Sequence, residues 1–132
     1  MSKNLNVQGF LNINKSTLFA SVTYDKVDSE VVIGHFNLFV DEILKPTVVV
    51  VDNASIHTSK KFQDMLPIWK KKELTVFYLP PYSPQLNPIE MVWKFMKYYW
   101  MELEAYKSVE NMKKYVEKVV IEYGVNYEIN FT

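Results

Sequence analysis

Cysteine is absent from the 132-residue sequence. Disulfides and thiolate zinc sites are therefore excluded, and a cytoplasmic protein is expected. No apolar run reaches the roughly 18 residues that a membrane-spanning helix needs, and residues 1–5 lack the apolar segment of a signal peptide. Internal repeats are absent as well. The length predicts one domain, residues 1–132, with no membrane partner.

Arginine is also absent: all 15 basic residues are lysines, and 15 acidic residues balance them. A domain that binds DNA by itself usually carries a basic excess. Lysine offers a single point charge where arginine makes the common two-pronged contact to guanine, so base-specific DNA reading is not expected. Contact with phosphate remains open to the lysine clusters at 60–61, 70–72 and 113–114. The alternative is that these clusters are solvated helix faces.

Strand-like segments occur in both halves of the chain. Residues 5–13 and 17–24 are β-rich and flank Asn14-Lys15-Ser16, which predicts a hairpin. Residues 48–51 are all valine, a run typical of a central parallel strand that is buried on both faces. A further short strand is predicted over residues 74–79.

Helical apolar spacing fills most of the remaining sequence. Four helices are predicted, over residues 29–44, 59–66, 88–100 and 108–123. Ser29 is the predicted N-cap of the first, and Pro46 stops it. Pro67 is expected to end or kink the second helix, and Gly124 to end the last. The order ββαβαβαα predicts an α/β fold with a mixed sheet flanked by helices.

Two carboxylates stand where such a fold builds sites. Asp52 follows the valine strand, at the edge of the sheet where α/β proteins bind ligands. An aspartate there can also simply turn the chain. Glu90 lies in the predicted first turn of a helix, after Asn87 as N-cap and Pro88 as first residue, so its alternative role is a capping box. Together, the two acids could share Mg²⁺ or Mn²⁺, which prefer carboxylate oxygens.

The sequence around these acids is specific. Residues 50–57 read VVDNASIH and residues 79–90 read LPPYSPQLNPIE, followed by Val92, Trp93 and Lys97. These blocks resemble the DDE catalytic domain of mariner-type transposases and their bacterial insertion-sequence relatives. The resemblance implies an RNase H-like fold and DNA strand cleavage and joining by two divalent metal ions. It makes Asp52 the second catalytic acid and Glu90 the third.

The same resemblance suggests roles for the neighbouring residues. His57 matches a family histidine that orients the loop or touches DNA, with a hydrogen bond near a helix start as its alternative. Asn53 and Asn87 match motif positions and are expected to hold the loop and cap the helix. Trp93 matches a family position too, but it falls on the apolar stripe of its helix, which favours a role in the core.

One departure from the family pattern concerns the first acid. In the family it lies on a first strand, upstream of the strand that corresponds here to residues 6–12. Asp25 and Asp28 are the only early aspartates. The resemblance implies that Asp25 ends an outer strand of the family's sheet, too far from Asp52 to share a metal. We therefore expect a catalytic domain truncated at its N-terminus and inactive by itself. The alternative is a non-enzymatic transposase remnant that acts as a folding or oligomerisation module.

The absent first strand has a structural consequence. Residues 5–13 should either pair directly with residues 48–51 or leave a gap that a second copy fills, with the alternating tail 125–131 as one candidate donor. We favour the intermolecular solution, which predicts a homodimer. A hydrolase built on Asp52, Ser55 and His57 is rejected, because triad members converge from separate elements and no nucleophile elbow is present.

Overall fold

The computed structural model describes residues 5–81 and 86–131, so residues 82–85 of the proline-rich block lie outside the described residues. The elements in chain order are β1 (Asn6–Asn12), β2 (Thr17–Thr23), α1 (Ser29–Glu42), β3 (Thr47–Val51), α2 (Lys60–Lys71), β4 (Leu74–Tyr78), α3 (Ile89–Phe95), a π-helix (Met96–Trp100), a 3₁₀ helix (Leu103–Lys107) and α4 (Val109–Glu122). The fold is α/β, as predicted. Across the described ranges, no helix combines the length and apolarity required to cross a bilayer.

The chain divides into two compact units. The inserted unit is Val27–Asn87, and the split unit combines Met1–Lys26 with Pro88–Thr132. Each unit holds one two-stranded sheet beside its helices, an arrangement compatible with an RNase H-like DDE fold.

Strands β3 and β4 of the inserted unit run parallel, with Val49 opposite Val76. The prediction that the valine strand is buried on both faces is wrong. Val51 is buried, whereas Val48 and Val50 are 63% and 45% exposed. Because β4 is the partner of β3 among the described residues, β3 is an edge strand there rather than a central one.

Helix α2 continues to Lys71, so the prediction that it ends near Pro67 is wrong. Proline removes one helical hydrogen bond. Tertiary packing on both sides of Pro67 outweighs that loss, because Phe62 and Trp69 are fully buried. The Trp69 ring stacks on Phe36 with centroids 4.8 Å apart. Its indole N–H also donates to Asn37 Oδ1 at 2.9 Å.

The cap of α1 is Asp28 rather than the predicted Ser29. The Asp28 carboxylate accepts a hydrogen bond from the Val31 backbone N–H at 2.9 Å. A carboxylate at this position also interacts favourably with the positive end of the helix dipole. The prediction was therefore one residue late.

Strands β1 and β2 of the split unit form the predicted antiparallel hairpin, with Gly9 opposite Ala20. The absence of a side chain at Gly9 admits the ring of Trp93, because a Cβ there would lie 2.9 Å from it. Trp93 packs against the core of buried Met96, Val116 and Val119, as predicted from its place on the apolar stripe.

The end of the split unit follows the sequence signals closely. Ser108 caps α4 by accepting a hydrogen bond from the Asn111 N–H at 3.0 Å. Gly124 adopts a φ of +91°, the left-handed region that glycine favours, immediately beyond the helix. The tail after Gly124 forms a turn with one isolated bridge between Tyr123 and Tyr127. No strand forms in its described part, 125–131.

The described strands form two separate sheets: β1 pairs with β2, and β3 pairs with β4. Residues 5–13 and residues 48–51 belong to different units, so direct pairing between them stays a prediction. Pairing with a second copy stays a prediction.

Candidate metal-binding and catalytic site

Asp52 follows β3 directly, at the carboxyl end of the parallel pair. The Leu79 N–H donates to the Val51 carbonyl at 2.8 Å, which extends the pairing of the two strands to the residue before Asp52. The Asp52 side chain is 34% exposed. The carboxylate therefore projects from a fixed backbone position and remains accessible to a ligand.

The two oxygens of Asp52 have different surroundings. Oδ1 accepts the Ala54 backbone N–H at 3.0 Å and lies 2.8 Å from Nδ1 of His57. Because an ionised carboxylate only accepts hydrogen bonds, the His57 Nδ1–H is the donor in this pair. Oδ2 has no hydrogen-bond partner within the described part of the chain. One oxygen thus fixes the orientation of the group, and the other is open.

The position of His57 is fixed by a ring contact and a backbone hydrogen bond. Its ring lies 5.4 Å from the ring of fully buried Phe62, measured between centroids. Its backbone N–H donates to the Ala54 carbonyl at 2.9 Å, closing the turn between Asp52 and α2. The imidazole therefore contacts the carboxylate from a position set by both packing and a backbone turn.

Two contacts tie this loop to the end of β4. The Tyr78 hydroxyl donates to the His57 carbonyl at 2.6 Å. Burial raises the pKa of Tyr78, which keeps its hydroxyl protonated as a donor. The Asn53 side-chain amide donates to the Leu79 carbonyl. The Asn53 and Tyr78 side chains thus both connect the loop after Asp52 to the end of β4.

Glu90 is the second residue of α3 in the split unit and is exposed. Its carboxylate makes no hydrogen bond or ion pair to any residue that the structure describes. The predicted capping arrangement is wrong, because Pro88, not Asn87, occupies the cap position and no side chain caps the helix. The Met91 N–H instead bonds the Pro88 carbonyl at 3.0 Å, a tight first turn that starts one residue later than predicted.

The predicted acids fall in different units: Asp52 belongs to the inserted unit and Glu90 to the split unit. Their convergence on one metal ion stays a prediction. Within either described range, 5–81 or 86–131, no cluster of three or more histidines or acids could hold a metal ion. The donor chemistry nevertheless fits a hard cation, because both acids offer a carboxylate oxygen that has no partner among the described residues.

The early aspartates have other surroundings. Asp28 caps α1. Asp25 follows β2, where its backbone carbonyl accepts the Asn6 side-chain amide at 2.8 Å and its N–H donates to Thr23 Oγ1 at 3.0 Å. These contacts of Asp25 involve its backbone only, and the Asp28 carboxylate is used as the cap of α1.

The Asp52–His57 pair has the orientation found in hydrolase triads, with Nδ1 towards the carboxylate. Ser55, however, is exposed, and its hydroxyl makes no hydrogen bond to any described residue. Ser55 therefore does not serve as a nucleophile for this pair in the described structure, and the rejection of a hydrolase stays a prediction.

Sequence reasoning did not identify the Tyr78 hydroxyl or the direct contact between His57 and Asp52. The contact depends on a turn that brings together residues five positions apart, which neither helical nor strand periodicity indicates. A tyrosine at the end of a strand beside a polar loop is a weak signal by itself.

Two comparisons with known proteins bear on this site. The family model described as DDE superfamily endonuclease matches residues 1–113. The uncharacterized protein y4pE/y4sA of Sinorhizobium fredii (strain NBRC 101917 / NGR234) is 34% identical over 65 residues, which cover 49% of this chain and 44% of that protein. The chain thus matches less than half of that relative's length. With the family match covering most of its sequence, the chain belongs to the DDE superfamily endonucleases.

Proposed function

We propose that Asp52 and Glu90 are metal ligands of a transposase-type endonuclease that cleaves and joins DNA strands. The observation that carries the proposal is the asymmetry of Asp52. Its Oδ1 is held by His57 and the Ala54 N–H, while Oδ2 has no partner among the described residues. A ligand with one fixed and one open oxygen is prepared to bind a cation without reorganising.

His57 acts on the metal through Asp52. Hydrogen bonds from outside the ligand shell orient a ligating carboxylate, and their removal typically weakens metal binding by about 10- to 100-fold. The 2.8 Å contact from Nδ1 supplies such a bond. Asn53 and Tyr78 support His57 and Asp52 indirectly, because their hydrogen bonds hold the loop against the end of β4.

Glu90 contributes the second carboxylate. It is exposed and has no ion pair to break in the described structure, so binding a cation costs it no existing interaction. Its position in the first turn of α3 fixes its backbone. The family uses divalent metal ions in general, and the oxygen donors of Asp52 and Glu90 favour Mg²⁺ or Mn²⁺.

Bound metal ions would supply activation of the attacking oxygen and stabilisation of the leaving oxygen at phosphorus. Asp52 and Glu90 would hold those ions in fixed positions, and the ions would in turn position the reacting phosphate. DNA is the substrate class of the family. Specific recognition of transposon ends is not assigned to this chain, because it contains no arginine.

A manganese-binding titration tests the assignment. The electron paramagnetic resonance signal of free Mn²⁺ should fall as the 132-residue chain is added. We expect Asp52→Asn and Glu90→Gln each to weaken binding by at least about tenfold. Wild-type affinity in both variants would overturn the proposal.

The chain offers matched controls for both acids. Glu110 occupies the first turn of α4 as Glu90 does that of α3, and Asp64 is an exposed acid of the inserted unit paired with Lys60. Glu110→Gln and Asp64→Asn should leave manganese affinity unchanged. Equal losses in these controls would indicate nonspecific attraction to surface charge.

We further propose that these residues alone do not transfer DNA strands, since the family resemblance implies three acids and only Asp52 and Glu90 match. An assay with Mg²⁺ or Mn²⁺ and nicked DNA should show nothing above the Asp52→Ala control. Cleavage that depends on Asp52 would contradict this. The non-enzymatic alternative predicts instead that neither acid affects manganese binding.

A further inference from the structure

One face of the sheet in the inserted unit is apolar and exposed. Val48 and Val50 of β3 are 63% and 45% exposed, and Phe77 of β4 is 59% exposed. Thr75 lies opposite Val48 in the parallel register and is exposed on the same face. Large apolar side chains concentrated on one exposed surface are typical of a contact with another protein.

The outer edge of β3 carries unpaired backbone groups next to this face. The Thr47 N–H and the Val51 carbonyl both make hydrogen bonds on the β4 side, at 2.9 Å and 2.8 Å. In a parallel pair, alternate residues of a strand bond to the same neighbour, so the odd-numbered residues of β3 face β4. The N–H and C=O groups of Val48 and Val50 therefore point to the outer edge, where no residue described in the inserted unit pairs with them.

The sequence does not protect this edge. Proteins commonly block exposed strand edges with charged side chains, with proline or with a covering element. Strand β3 reads TVVVV, without a charge or a proline, and valine has a high β-propensity. An uncharged edge of this kind favours pairing with a further strand.

Strand β4 differs from β3 in both respects. It follows Lys72 and Glu73 directly, so charges stand at its start. The residues whose backbone groups face its own outer edge are Leu74, Val76 and Tyr78, and their side chains are already buried or half-buried. Pairing at β4 would therefore add little apolar burial, whereas pairing at β3 covers exposed valines.

Antiparallel pairing of two copies fits the residues of the β3 edge. A twofold axis through Val49 places Val48 opposite Val50 of the second copy. Because the backbone groups of both residues face the edge, each opposed pair exchanges both of its N–H···O bonds. Their side chains lie beside each other across the contact and lose exposure to water. A register shifted by one residue would oppose edge-facing residues to residues that face β4, and the hydrogen bonds would be lost.

The charges at the two ends of β3 select the same orientation. Lys45 precedes the strand, is exposed and forms no ion pair with any described residue. Asp52 follows the strand, and its Oδ2 has no partner in the described part of the chain. An antiparallel arrangement brings Lys45 of each copy to the strand end that carries Asp52 in the other, so opposite charges meet. A parallel arrangement would bring like charges together.

We propose that β3 of two copies pairs antiparallel about Val49 and forms a continuous sheet with the strand order β4–β3–β3–β4. The contact is closed, because each copy uses the same edge. It is also short, so the dissociation constant of the dimer should lie on the order of 100 µM. The pairing places one candidate metal site at each end of the paired strands, with the Asp52 residues roughly 20 Å apart along the strand direction.

Disulfide trapping tests the register, because the chain contains no cysteine of its own. Val49→Cys should form a disulfide-linked dimer on mild oxidation, since the Cα atoms of a directly opposed pair without hydrogen bonds lie about 4.5 Å apart, within disulfide reach. Val48→Cys and Val50→Cys should each cross-link slowly alone and rapidly when mixed, because each opposes the other rather than itself. EDTA is present, so that metal ions do not bridge the copies.

Thr75→Cys is the matched control, because Thr75 is exposed on the same sheet face but lies on β4, away from the proposed contact. Random collisions would favour this exposed position over half-buried Val49. We expect Val49→Cys to cross-link at least about tenfold faster than Thr75→Cys. Equal rates, or a Val49→Cys chain that stays reduced, would overturn the proposal.

Sedimentation velocity adds a measurement that needs no thiol. Val48→Lys places a charge on the edge of β3 and should raise the dissociation constant at least about tenfold, whereas Thr75→Lys should leave it unchanged. Circular dichroism checks that both variants are folded. A wild-type chain that stays monomeric at about 1 mM, as direct pairing of residues 5–13 with β3 would require, contradicts the proposal. A dimer that survives Val48→Lys also contradicts it and assigns the contact to another surface, such as the tail 125–131.

Discussion

The Tyr78 hydroxyl reaches across from the end of β4 to the His57 carbonyl, at 2.6 Å. This bond links the strand beside β3 to the residue that orients the Asp52 carboxylate. The site is thus supported by a chain of contacts in which each member fixes the next. The stability of the loop and the geometry of the carboxylate should respond together when that chain is cut.

Tyr78→Phe should test the first contact. The change leaves the His57 carbonyl without its donor and should lower the free energy of unfolding by about 1 kcal/mol, measured by urea denaturation. Manganese affinity should fall as well, because the loop loses the hydrogen bond that connects His57 to β4. Tyr115→Phe removes an exposed hydroxyl bond to Glu102 and should change neither quantity. Equal effects in both variants would argue against a positioning role.

His57→Ala should weaken manganese binding by about 10- to 100-fold, because the Asp52 carboxylate loses the donor that orients it. The titration of the electron paramagnetic resonance signal measures this directly. His57→Asn, whose amide offers a shorter donor, should restore part of the affinity. Unchanged affinity in His57→Ala would show that the contact is structural only.

Stability should fall in mild acid because of His35. Burial lowers the pKa of His35 from 6.5 to about 4, so the unfolded chain binds a proton more readily than the folded one. Neutral His35 therefore makes its full contribution to the free energy of unfolding above about pH 6.5, and this contribution is lost as the pH falls towards 4. Between pH 7 and 4.5, the wild type should lose about 2 kcal/mol more than His35→Gln in urea unfolding. Parallel losses would contradict this assignment.

Pro67→Ala should stabilise the protein. Pro67 lies inside α2 and cannot donate to the Gln63 carbonyl one turn earlier. Alanine restores that donor, and we expect a gain of roughly 1–3 kcal/mol in the free energy of unfolding. Ile68→Ala, at the neighbouring half-exposed position, should not raise it. A loss of stability in Pro67→Ala would mean that the proline ring contributes packing that alanine cannot replace.

Local signals predicted much of this fold. The polar loop at residues 14–16 predicted the hairpin, Ser108 marked the start of α4, and Gly124 marked its end. These features depend on short-range geometry: turn conformation, one capping bond and a positive φ. Sequence reasoning is strong where neighbouring residues decide the outcome.

Tertiary packing explains the elements that were predicted wrongly. Phe62 and Trp69 hold α2 together across Pro67, although the proline by itself favours a break. The valine run predicted a strand correctly, but burial of both faces depends on neighbours that sequence alone does not place. The position of Asp52 directly after a strand was predictable from the sequence. Its contact with His57 was not, because loop closure decides it.

The split unit has a consequence for how the chain acquires its structure. Gly9 on β1 packs against Trp93 of α3. The hairpin precedes the inserted unit in the sequence and α3 follows it, so this contact joins residues that are far apart along the chain. Contacts between distant residues form slowly, because a long loop must close first. During synthesis, the hairpin emerges well before the helix that covers Gly9. The inserted unit, whose elements are contiguous, can therefore organise first and shorten the effective loop for the closing of the split unit.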